Sequence, residues 1–167
     1  MQAKISTIMV LLVSSFATGC TTIKKLDPDE LKAVSQRTYS DVTKQQMLAN
    51  AESILRKIDS SHRATLAISK DRITLYRTYG LTSLGSSLDF SVDSEGDALR
   101  TYLVSSIKGG GRELVRQNSG DYNLFYDRID ALLGKRAWVT CAEAEKDKER
   151  YSPPMTALCD GAEENTP

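Results

Sequence analysis

Few side chains in this chain are of types that do chemistry unaided. There is one histidine, His62. Metalloprotease patterns need two, so that class is excluded as such, and any Ser-His-Asp or Cys-His relay would have to run through this residue. His62 follows a helical stretch, stands beside Arg63, and has no nucleophile in a strained turn near it, so it reads as a surface-loop residue. Asp93, Glu95 and Asp97 surround Gly96 and could be a carboxylate pair or cation ligands. They lack the spacing of a calcium loop with its terminal Glu, and turn chemistry accounts for them. Gly109-Gly110-Gly111 lies between Lys108 and Arg112 without the Gly-Lys-Ser/Thr of a phosphate loop, and reads as a flexible connection. No catalytic residue, metal ligand or cofactor site is expected.

The cysteines carry more information. Cys20 closes a segment in which Lys4 precedes the run Ile5, Ile8, Met9, Val10, Leu11, Leu12, Val13 and Phe16, with small residues following at Ala17, Thr18 and Gly19. That is the order of a secretory signal. From Ile5 to Gly19 is fifteen residues, short of the roughly 20 a membrane-spanning helix needs. Ala17-Thr18-Gly19-Cys20 resembles the lipobox of bacterial lipoproteins, over the first twenty residues only. The resemblance implies cleavage before Cys20 and acylation of its thiol, palmitate being the usual kind of chain. The match departs from the family at Ala17, where Leu is more usual, and Ala17-Thr18-Gly19 also fits the cleavage site of ordinary secretion, which leaves a soluble periplasmic protein as the alternative. Thr21 in place of Asp implies, by the same resemblance, sorting to the outer membrane. The chain has three cysteines. Acylation of Cys20 leaves Cys141 and Cys159 as one pair, expected to form a disulfide in an oxidising compartment.

The elements around these residues follow from composition and pattern. Apolar residues make up 40% and charged residues 26% of the 167, which fits one globular domain. Lys+Arg and Asp+Glu are both 22, so the electrostatic case for a nucleic-acid binder is lacking. Asp27-Pro28-Asp29-Glu30 reads as the capped start of a short helix, and Val34 to Tyr39 turns extended. Thr43 and Gln46 open a second helix to about residue 58, with Met47, Leu48, Ala51, Ile54, Leu55 and Ile58 on one face. Period-two alternation then gives a hairpin over 64–79, a loop over 80–87, and strands over 88–93 and 98–107. A third helix is expected over 121–133, burying Phe125, Ile129, Leu132 and Leu133 and stopping at Gly134. The charged stretch 143–150 reads as a solvated helical turn.

The fold class expected is α+β: an antiparallel sheet of about four to five strands, helices packed on one face. Residues 1–19 are the signal peptide, 20–27 a lipidated tether, 28–160 the domain and 161–167 a flexible tail. Tyr76, Tyr79 and Tyr102 fall in one sheet region, where they are core if buried and a recognition surface if exposed. The expected function is that of a non-enzymatic accessory or assembly component of a cell-envelope complex. It would be held to the outer membrane by lipid on Cys20, face the periplasm, and contact an envelope protein rather than nucleic acid. In architecture it is similar to small accessory lipoproteins of secretion, conjugation or outer-membrane assembly systems. The alternatives are a module binding cell-wall glycan or a small ligand and, further off, a carboxylate-dependent cell-wall hydrolase.

Overall fold

The computed structural model describes residues 26–57, 64–78, 85–109, 112–115, 119–151 and 158–159. The signal segment, Cys20, His62, Tyr79, Gly110, Gly111 and the tail 161–167 lie outside the described residues. The fold is α+β, a six-stranded antiparallel sheet with helices on one side.

Local chemistry sets the first helices. In α1 (Pro28–Ser35) the Asp27 carboxylate accepts from the Asp29 and Glu30 amides at 3.0 and 2.8 Å, and Glu30 accepts from the Asp27 amide at 3.2 Å. This reciprocal box satisfies donors that the first turn leaves free. The chain then passes directly into β1 (Gln36–Tyr39). α2 (Lys44–Arg56) starts where Thr43 accepts from the Gln46 amide, and buries Met47, Ala51, Ile54 and Leu55, as helical spacing requires.

β2 (Ala64–Ile68) and β3 (Arg72–Thr78) form the expected hairpin, with Ile68 opposite Ile73. β4 (Gly85–Glu95) and β5 (Ala98–Gly109) form the long central one, turning at Gly96 with φ +61°. β4 begins earlier than its alternation indicates. Gly85 pairs with Thr78 on one side and Lys108 on the other, and a Cβ there would lie 2.6 Å from the Arg77 carbonyl oxygen. The close approach of two strands, not strand propensity, places glycine at that point. The sixth strand, β6 (Arg112–Val115), takes the count beyond the four to five expected, and Gly109 pairs with Arg112 at its start.

The strand order is β1-β5-β4-β3-β2, with β6 also on β5. β4 occupies one edge of β5, so β1 (opposite 99–102) and β6 (opposite 106–109) share the other. Between them the first turn of α3 (Gly120–Leu132) supplies side chains: Tyr122 Oη accepts from the Ser105 amide at 3.4 Å, and Ser105 Oγ donates to Asp121 Oδ2 at 2.9 Å. Asp121 thus serves the sheet, and Ser119 takes the N-cap position without a side-chain bond.

α3 runs through the core, with the Phe125 ring packed at a 45° tilt against Phe90 (5.1 Å between ring centroids) and edge-on to Tyr126. Phe125 and Ile129 are buried as expected, whereas Leu132 and Leu133 are only half-buried. Tyr122, Leu124, Tyr126, Asp127 and Arg128 are buried as well. The segment after Gly134 (φ +72°) folds back over the other side of the helix, with a short α4 (Cys141–Lys146) inserting Ala144. No helix among the described residues is long and apolar enough to cross a membrane.

Candidate functional site

Opposed residues in an antiparallel ladder share a face, so the register sorts every strand residue. Tyr39, Leu66, Ile73, Leu75, Leu88, Phe90, Val92, Leu99 and Leu103 belong to the helix-covered face. The opposite face has no helix over it among the described residues and carries Thr38, Arg72, Thr74, Tyr76, Ser87, Asp89, Ser91, Asp93, Arg100, Tyr102, Val104, Ser106 and Val115. Its polar groups pair across strands. Arg72 lies 3.4 Å from Asp89, Arg100 bonds Glu95 at 2.5 Å, and Ser87 and Ser106 share a buried hydrogen bond of 2.7 Å. The Arg100 guanidinium titrates higher than usual, chiefly through its bond to Tyr102 and then through Glu95.

Two of the three tyrosines singled out from the sequence are on this face. Tyr76 is 43% exposed, with the Lys108 ammonium 5.5 Å from its ring centre. Tyr102 is half-buried. Tyr76 is in the row of Ser87 and Ser106, and Tyr102 in the row of Ser91 and Arg72. Four residues along the strands and two strands across separate them by roughly 16 Å. They therefore do not line one groove. The large aliphatic side chains exposed on the face are Val104, at 42%, and Val115. With Tyr76 they surround the Ser87–Ser106 pair, whose short side chains form its floor. The result is a shallow surface of aromatic ring, aliphatic side chains and hydroxyls.

A second constellation was not foreseen. The Asp127 carboxylate, 1% exposed, is contacted by Arg37 at 3.5 Å, Arg136 at 2.5 Å, Arg150 at 2.8 Å and the Tyr151 hydroxyl at 2.7 Å. Arg37 also bonds Asp130 at 2.6 Å. Burial raises the proton affinity of Tyr151 above the ordinary, and its bond to Asp127 adds to the effect. Tyr39 is held well above the ordinary range by burial first and by the Asp130 charge second. Tyr126 is held up by burial against the opposing hydrogen bond from Thr101 and charge of Arg37. Arginine forks converging on one fixed carboxylate lock β1, α3 and the C-terminal segment together. Such a carboxylate has no free edge to offer a substrate, so the chemistry of this cluster is cohesion.

No family model matches the chain, and no curated protein matches it either. Geometry and sequence pattern are thus what bear on function.

Asp93, Glu95 and Asp97 form the exposed β4–β5 turn, with Asp93 opposite Arg100. Among the described residues no three His, Cys, Asp or Glu side chains are placed to hold a metal ion. Cys141 and Cys159 are joined as a disulfide across a separation of 18. The charged stretch 143–150 is exposed apart from Ala144, as expected of a solvated turn, and Arg150 in addition reaches back to Asp127. Asp127 and Arg128 were passed over because they interrupt an otherwise apolar helical stripe. A charged residue in register with buried neighbours was the available signal.

Proposed function

We propose that the protein is a lipid-anchored envelope component, held through acylated Cys20 at the periplasmic side of the outer membrane, whose helix-free sheet face binds an envelope protein without catalysis. The observation that carries the reading is that face. It leaves Tyr76, Val104 and Val115 exposed around a hydroxyl floor, the mixture of aromatic, aliphatic and neutral polar surface found at the centre of protein interfaces. The wide separation of Tyr76 and Tyr102 favours a flat partner over a glycan or small ligand, which would need a concave, aromatic-lined cleft. The engagement of Asp127 by three arginines weighs against a cell-wall hydrolase, which needs two carboxylates free to exchange protons. Lipobox-like residues Ala17-Thr18-Gly19-Cys20 support the location.

Photo-crosslinking in intact cells tests the reading. A crosslinking residue at Tyr76 or Val104 should capture the same single envelope protein, and one at the exposed Lys32 of α1 should not. Capture from Lys32 alone, or of glycan fragments from the sheet positions, would overturn it.

A further inference from the structure

The buried Arg128 is placed for chemistry that cohesion does not require. It is 4% exposed, and three contacts fix its plane: Nε donates to the Val139 carbonyl at 3.0 Å, Nη1 to the Leu158 carbonyl at 3.1 Å, and the guanidinium lies 5.0 Å from the Trp138 ring centre. With those atoms fixed, Nη2 falls 3.2 Å from Cys141 Sγ and 4.0 Å from Cys159 Sγ. A disulfide sulfur is a weak acceptor and gains little from a permanent cation. A thiolate gains much more, because a guanidinium cannot surrender its proton and this one is itself buried. The arrangement is therefore better matched to the charge that appears on Cys141 when the bond opens than to the bond itself. Both half-cystines keep part of their surface in water, so a small thiol has access.

We infer that Cys141–Cys159 is a thiol-exchange site: an external dithiol attacks Cys159, and Arg128 stabilises the departing Cys141 thiolate. In the first step the thiolate of the dithiol gives its electron pair to a new bond with Cys159 Sγ. The Cys141–Cys159 bond breaks and its pair leaves on Cys141. In the second step the remaining thiol of the reductant loses its proton and attacks its own sulfur in the mixed disulfide, which expels Cys159. The dithiol ends as a disulfide, and Cys141 and Cys159 have taken up its two electrons and its two protons. The direction of attack follows from the leaving group: exchange is faster when the sulfur expelled is the more stable thiolate. The 3.2 Å and 4.0 Å distances make that sulfur Cys141.

The experiment uses the full native chain. Limiting glutathione as the first-step probe, followed by acid quench, alkylation and peptide mapping, should place glutathione on Cys159 and the alkyl group on Cys141. Cys20 lies on a different peptide and does not interfere. After complete reduction with dithiothreitol, the alkylation of Cys141 should show a pH midpoint at least about one unit below the ordinary thiol value near 8.5, and Cys159 should not. Arg128→Met should slow reduction about tenfold and return the Cys141 midpoint to the ordinary value; Arg128→Lys should recover part of the shift. The first two readouts need no variant, so a substitution that disturbs folding does not spoil the test. Glutathione on Cys141, equal labelling of both sulfurs, or an ordinary midpoint at Cys141 would overturn the inference, and none of these outcomes bears on which surface binds a partner.

Discussion

α2 and α3 are each 13 residues long and pack against one another beneath the same sheet, but they are buried by different rules. α2 hides one stripe, Met47, Ala51, Ile54 and Leu55, and gives its other side to Gln45, Ala49 and Arg56. α3 is enclosed on nearly every side, and its interior includes Asp121, Asp127 and Arg128. A one-sided helix needs only spacing and a cap. An enclosed one needs a partner for every polar group it takes inside, since an unpaired buried charge costs far more than its pair returns. α2 is therefore built from local information, and α3 is completed by residues far away: Arg37 in β1, Arg136 beyond its own end, and Arg150 and Tyr151 near the end of the described chain.

Raising the pH should separate the two helices most sharply. Tyr126 of α3 and its neighbour Tyr39 in β1 keep their protons well above the ordinary value near 10, chiefly because they are buried. The unfolded chain releases those protons first. Their contribution to stability is thus complete below about pH 10 and falls as pH rises from there toward the folded-state values. Phenolate absorbance for these two rings should appear together with loss of the native circular dichroism. Ionisation of both rings in a still-folded protein would show that α3 is looser than described.

Asp127→Asn should cost about 3–4 kcal/mol in urea denaturation. That is the lower part of the range for a broken buried pair, because Arg37, Arg136 and Arg150 retain 29%, 35% and 45% of their side-chain surface in water. Replacing Cys141 and Cys159 together by Ser should cost roughly 3 kcal/mol, the value of closing a loop of this length in the unfolded chain. If that loss proves much smaller, Arg128 and Arg150 hold the segment without the bond. The caps give the smallest contrast. Thr43→Ala should cost about 1 kcal/mol, because the Thr43 hydroxyl accepts from the Gln46 amide, whereas Ser119→Ala should cost less than about 0.5 kcal/mol, since Ser119 makes no such bond. Equal losses would put the start of α3 under the same local control as α2.

These contrasts track what could be read in advance. Caps, one-sided stripes and alternation are near-neighbour signals, and they carried Asp27, Thr43, the α2 core face and the β2–β3 hairpin. The Cys141–Cys159 pair was legible from cysteine parity. β6 was not, because Arg112-Glu113-Leu114-Val115 is too short to show a period and is strand only by pairing with β5. Gly85 to Ser87 read as loop because glycine and serine are poor strand formers, and two flanking strands override that tendency. Asp127 was invisible for a related reason: its partners lie 90 residues upstream at Arg37 and between 9 and 24 downstream at Arg136, Arg150 and Tyr151. The open sheet face lay between these cases. Its tyrosines were noticed, but pattern alone left core and surface open, and only the register places Tyr76 and Tyr102 on the side away from the described helices.

Position matters to all of this, since both a disulfide and the envelope-protein contact we propose belong outside the cytosol. Intact mass measurement of the protein extracted from membranes is the most direct test. The expected result is a chain that starts at Cys20, carries fatty-acyl mass on that residue, and is two hydrogens lighter than its fully reduced form. A chain that keeps its first nineteen residues, or one that starts at Cys20 with no added acyl mass, would contradict the anchored placement.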